Sequence, residues 1–458
     1  MEENNKVTDG AIYDARSLGT PRMFVLGLQH MFAMFGATVL VPLLTGLSVS
    51  TTLLFAGLGT LLFHLISKRK VPAFLGSSFA FLAGYAAIAP NGEAELLPYA
   101  CFGVAVAGLV YLILAALFKA YGASRVMKFF PPVVTGPIII AIGLNLSQSA
   151  VANCSTHWGI ALIAIVIVIV CNIWGKGMIR IIPILLGVIG SYIVAAIAGF
   201  IDFSPVIAAP WFGLPLDYGR TVFSLFTAGN VSTPLLITAI ITIVPISLAT
   251  MMEHIGDISA ISSTVGRNFI KDPGLHRTLT GDGLATAVAA LFGAPANTTY
   301  GENTGVLSLT KVFDPVVIRI AACLAILFSF CPKFAAIIEV MPSATIGGIS
   351  LVLYGMISAV GIRNLAETHV DFSRSRNVII AALILVLSIG INYSEAGALV
   401  WTIGDATISF TGLATGSLVG ILLNAILPGK DYHFEDEEPN TTGVNLEIAQ
   451  GKGLNDKD

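Results

Sequence analysis

Charge is scarce in this chain. Asp, Glu, Lys and Arg make up 11% of its 458 residues, where soluble domains carry about 25%. That shortage, with 55% hydrophobic residues and a mean hydropathy of +0.85, excludes an ordinary water-soluble domain. A net charge of −3 says nothing about nucleic acid, but no basic patch with interleaved aromatics occurs, so no nucleic-acid partner is expected. Cysteine is scarce too. Cys101, Cys154, Cys171, Cys323 and Cys331 are scattered and odd in number, so neither a zinc site nor a disulfide framework is expected. They read as small buried hydrophobes. No His-x-x-x-His, Gly-x-Ser-x-Gly or paired-cysteine arrangement occurs. Metal, cofactor and nucleophile–base chemistry are therefore not expected, and the chain does not read as an enzyme. The first 20 residues are polar and acidic and show no signal-peptide pattern, so the first apolar run should stay as a membrane segment.

What the chain has instead is long apolar runs. A spanning helix needs about 20 mostly apolar residues. Such segments lie near 24–46, 51–67, 72–90, 98–118, 130–150, 157–174 and 181–201. After a more polar connection at 202–232, a second set lies near 234–258, 280–294, 295–311, 315–332, 335–360, 377–393 and 405–427. The count is seven plus seven, in an all-α polytopic membrane protein. Residues 1–21 and 429–458 form tails, the latter acidic. Residues 22–201 and 233–428 form two halves.

Lys and Arg concentrate on the cytoplasmic side of membrane proteins. With fourteen crossings and both termini inside, the inner loops hold Lys68-Arg69-Lys70, Lys119, Arg125, Lys128, Lys176, Arg180, Arg267, Lys271, Arg277, Lys311, Arg363, Arg374 and Arg376. The outer loops keep only Arg220 and Lys333, with Arg319 near a segment end. Because seven is odd, the halves should run in opposite orientations.

The third segment of each half is unusual. Pro72-Ala73-Phe74-Leu75-Gly76-Ser77-Ser78-Phe79 and Pro295-Ala296-Asn297-Thr298-Thr299-Tyr300-Gly301-Glu302 both follow a proline and are rich in Ser, Thr and Gly. Matched, interrupted segments in two halves point to a transporter binding site. Broken backbone at membrane depth survives only inside protein or along a watery cavity.

Acidic residues sit in these apolar surroundings, where a carboxylate costs roughly 2.5–3.5 kcal/mol. Glu253 and Asp257 are four residues apart and share a helix face. A proton held between them would relieve their repulsion, which suits proton coupling. The alternative for Asp257 is a structural pair at a helix end, bonded to Arg267. Glu302 follows Gly301, whose lack of a side chain admits a flat ligand to the backbone. A carboxylate beside an exposed N–H offers an acceptor next to a donor, matching the edge of a pyrimidine or purine. His30 reads mainly as a structural hydrogen bonder. Phe79 and Tyr354 could stack on a planar ring, although aromatics in apolar helices are commonly core.

At these residues the chain resembles the nucleobase–ascorbate transporter family. The family signature reads here as Glu302-Asn303-Thr304-Gly305, then Thr310-Lys311. Gln29-His30 and Gly76-Ser77-Ser78-Phe79-Ala80-Phe81 also fit, and the likeness runs over about residues 22–428. Opening with Glu, the signature is most similar to that of the bacterial uracil-transporting members. The resemblance implies fourteen transmembrane segments as two inverted repeats of seven, with short strands in discontinuous segments 3 and 10. Segments 1–4 and 8–11 would form a core, and 5–7 and 12–14 a gate.

Carried over by position, Glu253 and Glu302 would hydrogen-bond the ring. The backbone N–H groups of Phe79 and Gly301 would meet its carbonyls, and Ala37, Tyr300 and Tyr354 would shape the pocket. Glu253, Glu302 and His30 would take part in proton coupling. Asp257 departs from a characterised relative, which has His there, so its part in the proton path stays open. The implied activity is uracil–proton symport at the cell inner membrane, in a possible homodimer. Gly347-Gly348 would ease close contact between core and gate. The rivals are a purine such as xanthine or urate in the same site, or a sulfate-carrier-type anion transporter. The latter usually carries a soluble domain after its last helix, and two buried glutamates would repel anions.

Overall fold

A computed structural model describes residues 11–227, 231–403 and 406–430. Met1 to Gly10 and most of the acidic tail lie outside the described residues.

Prolines, glycines and apolar runs set the element boundaries. Helix α1 (Thr20–Thr45) begins with proline in its first turn and ends where Gly46 turns left-handed at φ 80°; glycine adopts that conformation freely. Helix α2 (Val49–Ile66) is capped by Ser48, whose side chain accepts from the Thr51 N–H. A short strand β1 (Leu75–Ser77) and helix α3 (Leu82–Ile88) follow. Next come α4 (Leu97–Tyr121), α5 (Pro132–Ser155), α6 (Trp158–Ile173) and α7 (Pro183–Ile197).

The second half opens with α8 (Thr233–Ile243), a 3-10 turn containing Pro245, and α9 (Ser247–Val265). Proline removes one backbone donor, which accounts for the altered turn. Helix α10 (Leu275–Leu291), strand β2 (Asn297–Thr299) and helix α11 (Gly301–Thr310) follow. Then come α12 (Pro315–Ser329), α13 (Pro332–Glu339), α14 (Ser343–Glu367), α15 (Ser375–Asn392), the hairpin β3 (Ala398–Ile403) and β4 (Ala406–Thr411), and α16 (Gly412–Ile426).

Among the described residues, seven helices are long and apolar enough to cross a membrane, or eight if α12 and α13, bent by 87°, make one span. Exposed apolar side chains such as Ile113, Leu162, Val166, Ile193 and Val386 form the kind of surface that suits lipid. The chain is a mostly helical, multi-pass membrane protein.

Three expected segments differ in detail. The run at 335–360 divides, because α13 stops before Pro342 and α14 starts after it. The run at 405–427 opens with a strand before its helix: β4 pairs with β3, just ahead of the run, from Ala398↔Thr411 to Ile403↔Ala406, in a stretch rich in strand-favouring Val, Ile and Thr. The run at 234–258 extends to Val265, so Asp257 lies mid-helix and not at its end.

Helix packing falls into two sets. Helices α1, α2, α4, α10 and α12 pack on one another, and α5, α6, α7 and α14 do the same, with α15 and α16 against α5. Glycines permit the closest approaches. Gly347 lies against Ala150 to Cys154 of α5, and Gly348 against Ala161 of α6. These two glycines thus join α14 to its own set, which corrects the expected core–gate contact. A Cβ on Gly361 would stand 2.6 Å from the Gly136 carbonyl and 2.8 Å from the Ile140 nitrogen. Gly361→Leu should therefore cost about 1–3 kcal/mol or more by overpacking. A clear fall in the melting temperature of the purified protein checks this; unchanged melting would show that α5 and α14 can part without cost.

Candidate functional site

The two interrupted segments meet. β1 and β2 pair antiparallel, Leu75 opposite Thr299, Gly76 opposite Thr298 and Ser77 opposite Asn297. The ribbon is held from outside as well. Leu75 N–H donates to the Thr60 hydroxyl at 2.9 Å, and Asn297 Nδ2 donates to the Phe55 carbonyl at 3.1 Å. The Thr286 hydroxyl donates to the Asn297 carbonyl at 2.9 Å. The Thr60 and Thr286 bonds satisfy strand backbone that no helix serves, which a membrane interior requires, and the Asn297 bond ties the ribbon to α2.

Tyr300 closes the strand–helix junction. Its N–H donates to the Phe74 carbonyl at 3.0 Å and its hydroxyl to the Ser77 carbonyl at 2.9 Å. Helix α11 then begins at Gly301 with extended Tyr300 at its N-cap and no side-chain cap. The first N–H groups of a helix have no intrahelical partner, and Glu302 in the first turn complements their partial positive charge. Gly301 is exposed, and a Cβ built there meets nothing within 4 Å. Open space therefore fronts the start of α11.

Helix α9 brings its acids to the same place. Glu253, Asp257 and Glu302 are all half-buried. Asp257 Oδ2 accepts from the Thr299 hydroxyl at 2.7 Å, so the acid expected at a helix end is tied to β2. Arg267 stacks on the Tyr13 ring, 4.4 Å from its centroid. Glu253 Oε2 is buried without a hydrogen-bond partner among the described residues. Its charged neighbours Asp257, Asp282 and Glu302 are all acidic, and Tyr300 lies within electrostatic reach of Glu302 and Glu253.

The remaining expected residues are more deeply placed. Phe79 and Tyr354 are buried and meet edge-to-face, 5.6 Å apart at 76°, which links the first break to α14. Ala37 is fully buried, beside Thr38, whose hydroxyl is 3.4 Å from the Tyr300 hydroxyl. His30 is fully buried and joins α1 to α11: Asn303 Nδ2 lies 3.2 Å from its Nδ1 and 3.1 Å from its carbonyl. Thr299 and Asn303 were not singled out in the sequence, although each adjoins a residue that was. Asp282 was also missed. It is fully buried inside α10. Among the described residues no cluster of His, Cys, Asp and Glu is arranged to hold a metal ion.

An acid-lined break where two antiparallel, interrupted segments meet suits a transporter, and comparison with known proteins agrees. The family described as "Permease family" matches residues 21–397. The chain belongs to this family. The uracil permease of Bacillus caldolyticus is 42% identical to the permease over 442 residues, covering 94% of this chain and 97% of that protein. The uracil permease of Escherichia coli (strain K12) is 38% identical over 412 residues, covering 88% and 90%. These relatives are named as transporters, not enzymes. Among solved structures, the transmembrane domain of the cyanobacterium bicarbonate transporter BicA gives a TM-score of 0.58 at 15% identity, covering 91% of this chain and 99% of that one. SLC26A9 gives 0.61 at 13% identity, covering 90% and 66%. At such identities the likeness is one of fold alone.

Proposed function

We propose that this permease imports uracil by proton symport across the cell inner membrane, with both termini in the cytoplasm. Its fourteen segments would form two inverted repeats, a core of segments 1–4 and 8–11 and a gate of 5–7 and 12–14, in a possible homodimer. The observation that carries the reading is the meeting of Glu253, Asp257 and Glu302 around the β1–β2 break, with open space before Gly301. The relatives named uracil permease supply the substrate class.

A flat, neutral ring presents N–H donors and carbonyl acceptors at one edge. The carboxyl groups of Glu253 and Glu302 accept from its N–H groups through an unprotonated oxygen, and the N–H groups of Phe79 and Gly301 donate to its carbonyls. Tyr300, Tyr354 and Ala37 set the width of the slot. A proton on the acidic cluster, held by Glu253 with Asp257, His30 or Glu302, cuts the repulsion that otherwise opposes closure. Proton and uracil then favour the closed state together, and loss of the proton inside frees the ring. Core and gate shift past one another in this cycle.

Uptake of labelled uracil into proteoliposomes, with and without an inward proton gradient, tests the reading. Accumulation should need the gradient, and excess xanthine should compete poorly. Efficient competition by xanthine would favour a purine in the same slot. Uptake that ignores the gradient would remove proton coupling.

Thr299→Val tests the hold on Asp257. It removes the Thr299 hydroxyl that donates at 2.7 Å and leaves a half-buried acceptor short of a partner, at a cost of about 1 kcal/mol. Initial uptake should fall about tenfold with the protein folded. Wild-type uptake would exclude this bond from the cycle.

A further inference from the structure

Asp257, bonded to Thr299, and Glu302 at the start of α11 lie at the β1–β2 break. Immediately behind it, on the α10 side of α9, lies a pair that the substrate slot does not explain. His254 Nδ1 stands 3.0 Å from Asp282 Oδ2, and neither side chain is exposed at all. The contact is one of proximity and charge: among the described residues neither ring nitrogen of His254 and neither carboxyl oxygen of Asp282 makes a well-aligned hydrogen bond. The imidazole is walled on one side by Phe63 of α2, edge-on at 6.2 Å and 73°. Ionisable groups this deep are costly, and polar atoms left unpartnered in an interior mark places kept for a use other than stability.

We infer that His254 and Asp282 are a positioning pair for transport: together they hold one proton, set the rotation of α9 on α10, and so govern how Glu253 is presented to the slot. The inference rests on the proposed symport reading and adds a second ionisable unit to it. Consecutive residues on a helix point about 100° apart, so Glu253 can face the break while His254 reaches into α10. Any turn or slide of α9 that moves Glu253 also stretches or closes the His254–Asp282 contact. Asp282 is one of the charges acting on Glu253, so the two units sense one another. With its proton the pair is neutral overall; without it a lone carboxylate charge stays buried near three other acids.

The ionisable groups around the pair come from every side. Helix α9 supplies Glu253 and Asp257, and α11 supplies Glu302. Helix α4 supplies Tyr111, whose hydroxyl is 2.5 Å from the Thr250 hydroxyl of α9. Helix α2 supplies His64, whose Nε2 is 2.8 Å from the Ala73 carbonyl. None of these is a cation that could replace His254 by a direct contact among the described residues.

The test uses purified permease in proteoliposomes, as wild type, His254→Gln, Asp282→Asn, and the exchanged double variant His254→Asp with Asp282→His. Each single substitution should lower uracil uptake at least about tenfold and shift its pH midpoint by about one unit or more, with uracil KM changed less than about threefold. The exchanged variant should recover at least about half of the wild-type rate, because the pair is restored with its ends reversed. Single variants with the wild-type pH profile would overturn the inference. So would an exchanged variant that melts like wild type and stays as inactive as the singles.

A second measurement covers variants that fold poorly, and it does not depend on uracil. In isotope-labelled wild-type protein the His254 ring resonances should report the contact with Asp282, and Asp282→Asn should displace them. A His254 resonance unaffected by Asp282→Asn would refute the pair. A wild-type protein that ignores uracil would refute the nucleobase reading and leave this measurement standing.

Discussion

Glu253→Gln should reduce uracil uptake at least about a hundredfold, to background, while the protein still reaches the membrane and melts close to wild type. The amide keeps the size of the carboxyl and one acceptor and adds a donor, so packing is preserved. What it loses is the ability to take up and release a proton. Glu253 Oε2 has no hydrogen-bond partner to lose among the described residues, which separates this change from a broken structural bond. The charges around it, on Asp257, Asp282 and Glu302, are all acidic, so replacing Glu253 by a neutral group relieves repulsion and does not threaten the fold. Loss of uptake can then only report ionisation or ring contact at residue 253. Glu302→Ala should act in the same direction, since it deletes the half-buried carboxyl at the start of α11. Either variant taking up uracil at the wild-type rate would expel that residue from the slot.

Much of this arrangement was legible because it is written in local pattern. Apolar runs of spanning length, two Pro-led interruptions, and acids four apart on one helix face are all visible along the chain. What escaped depends on distant partners or on small changes of direction. The pairing of Gly76 with Thr298 joins residues more than two hundred positions apart, and no periodicity specifies it. The sequence places Asp257 near a run's end only because the apolar residues thin out after Ile258; the helix continues to Val265 on Ser and Thr that the interior serves. Asp282 carries no local signal of its place, because its partner His254 lies on another helix. The hairpin from Ala398 to Thr411 is as apolar as a helix, and hydropathy cannot tell the two apart.

Gly301→Val should abolish uracil binding, weakening it at least about a hundredfold, with no loss of stability. A Cβ at this position meets no atom within 4 Å, and the backbone there is not in the left-handed region that favours glycine. The protein therefore leaves space for a Cβ beside Gly301. On the proposed reading a planar ring lies in that space against the free N–H groups of the α11 start, and a larger side chain would displace it. Gly76 supplies the contrast. It sits in β1 opposite Thr298, and a Cβ there would collide with the Tyr300 ring and stand 2.7 Å from the Thr38 hydroxyl. Gly76→Ala should therefore lower the melting temperature, because Tyr300 must leave its bond to the Ser77 carbonyl. Two glycines of the same broken site thus differ: a Cβ at Gly76 meets the Tyr300 ring, whereas one at Gly301 meets open space. Uracil titration and thermal melting of both variants separate the two. A Gly301→Val protein that binds uracil as tightly as wild type would show that the ring does not lie against the open start of α11.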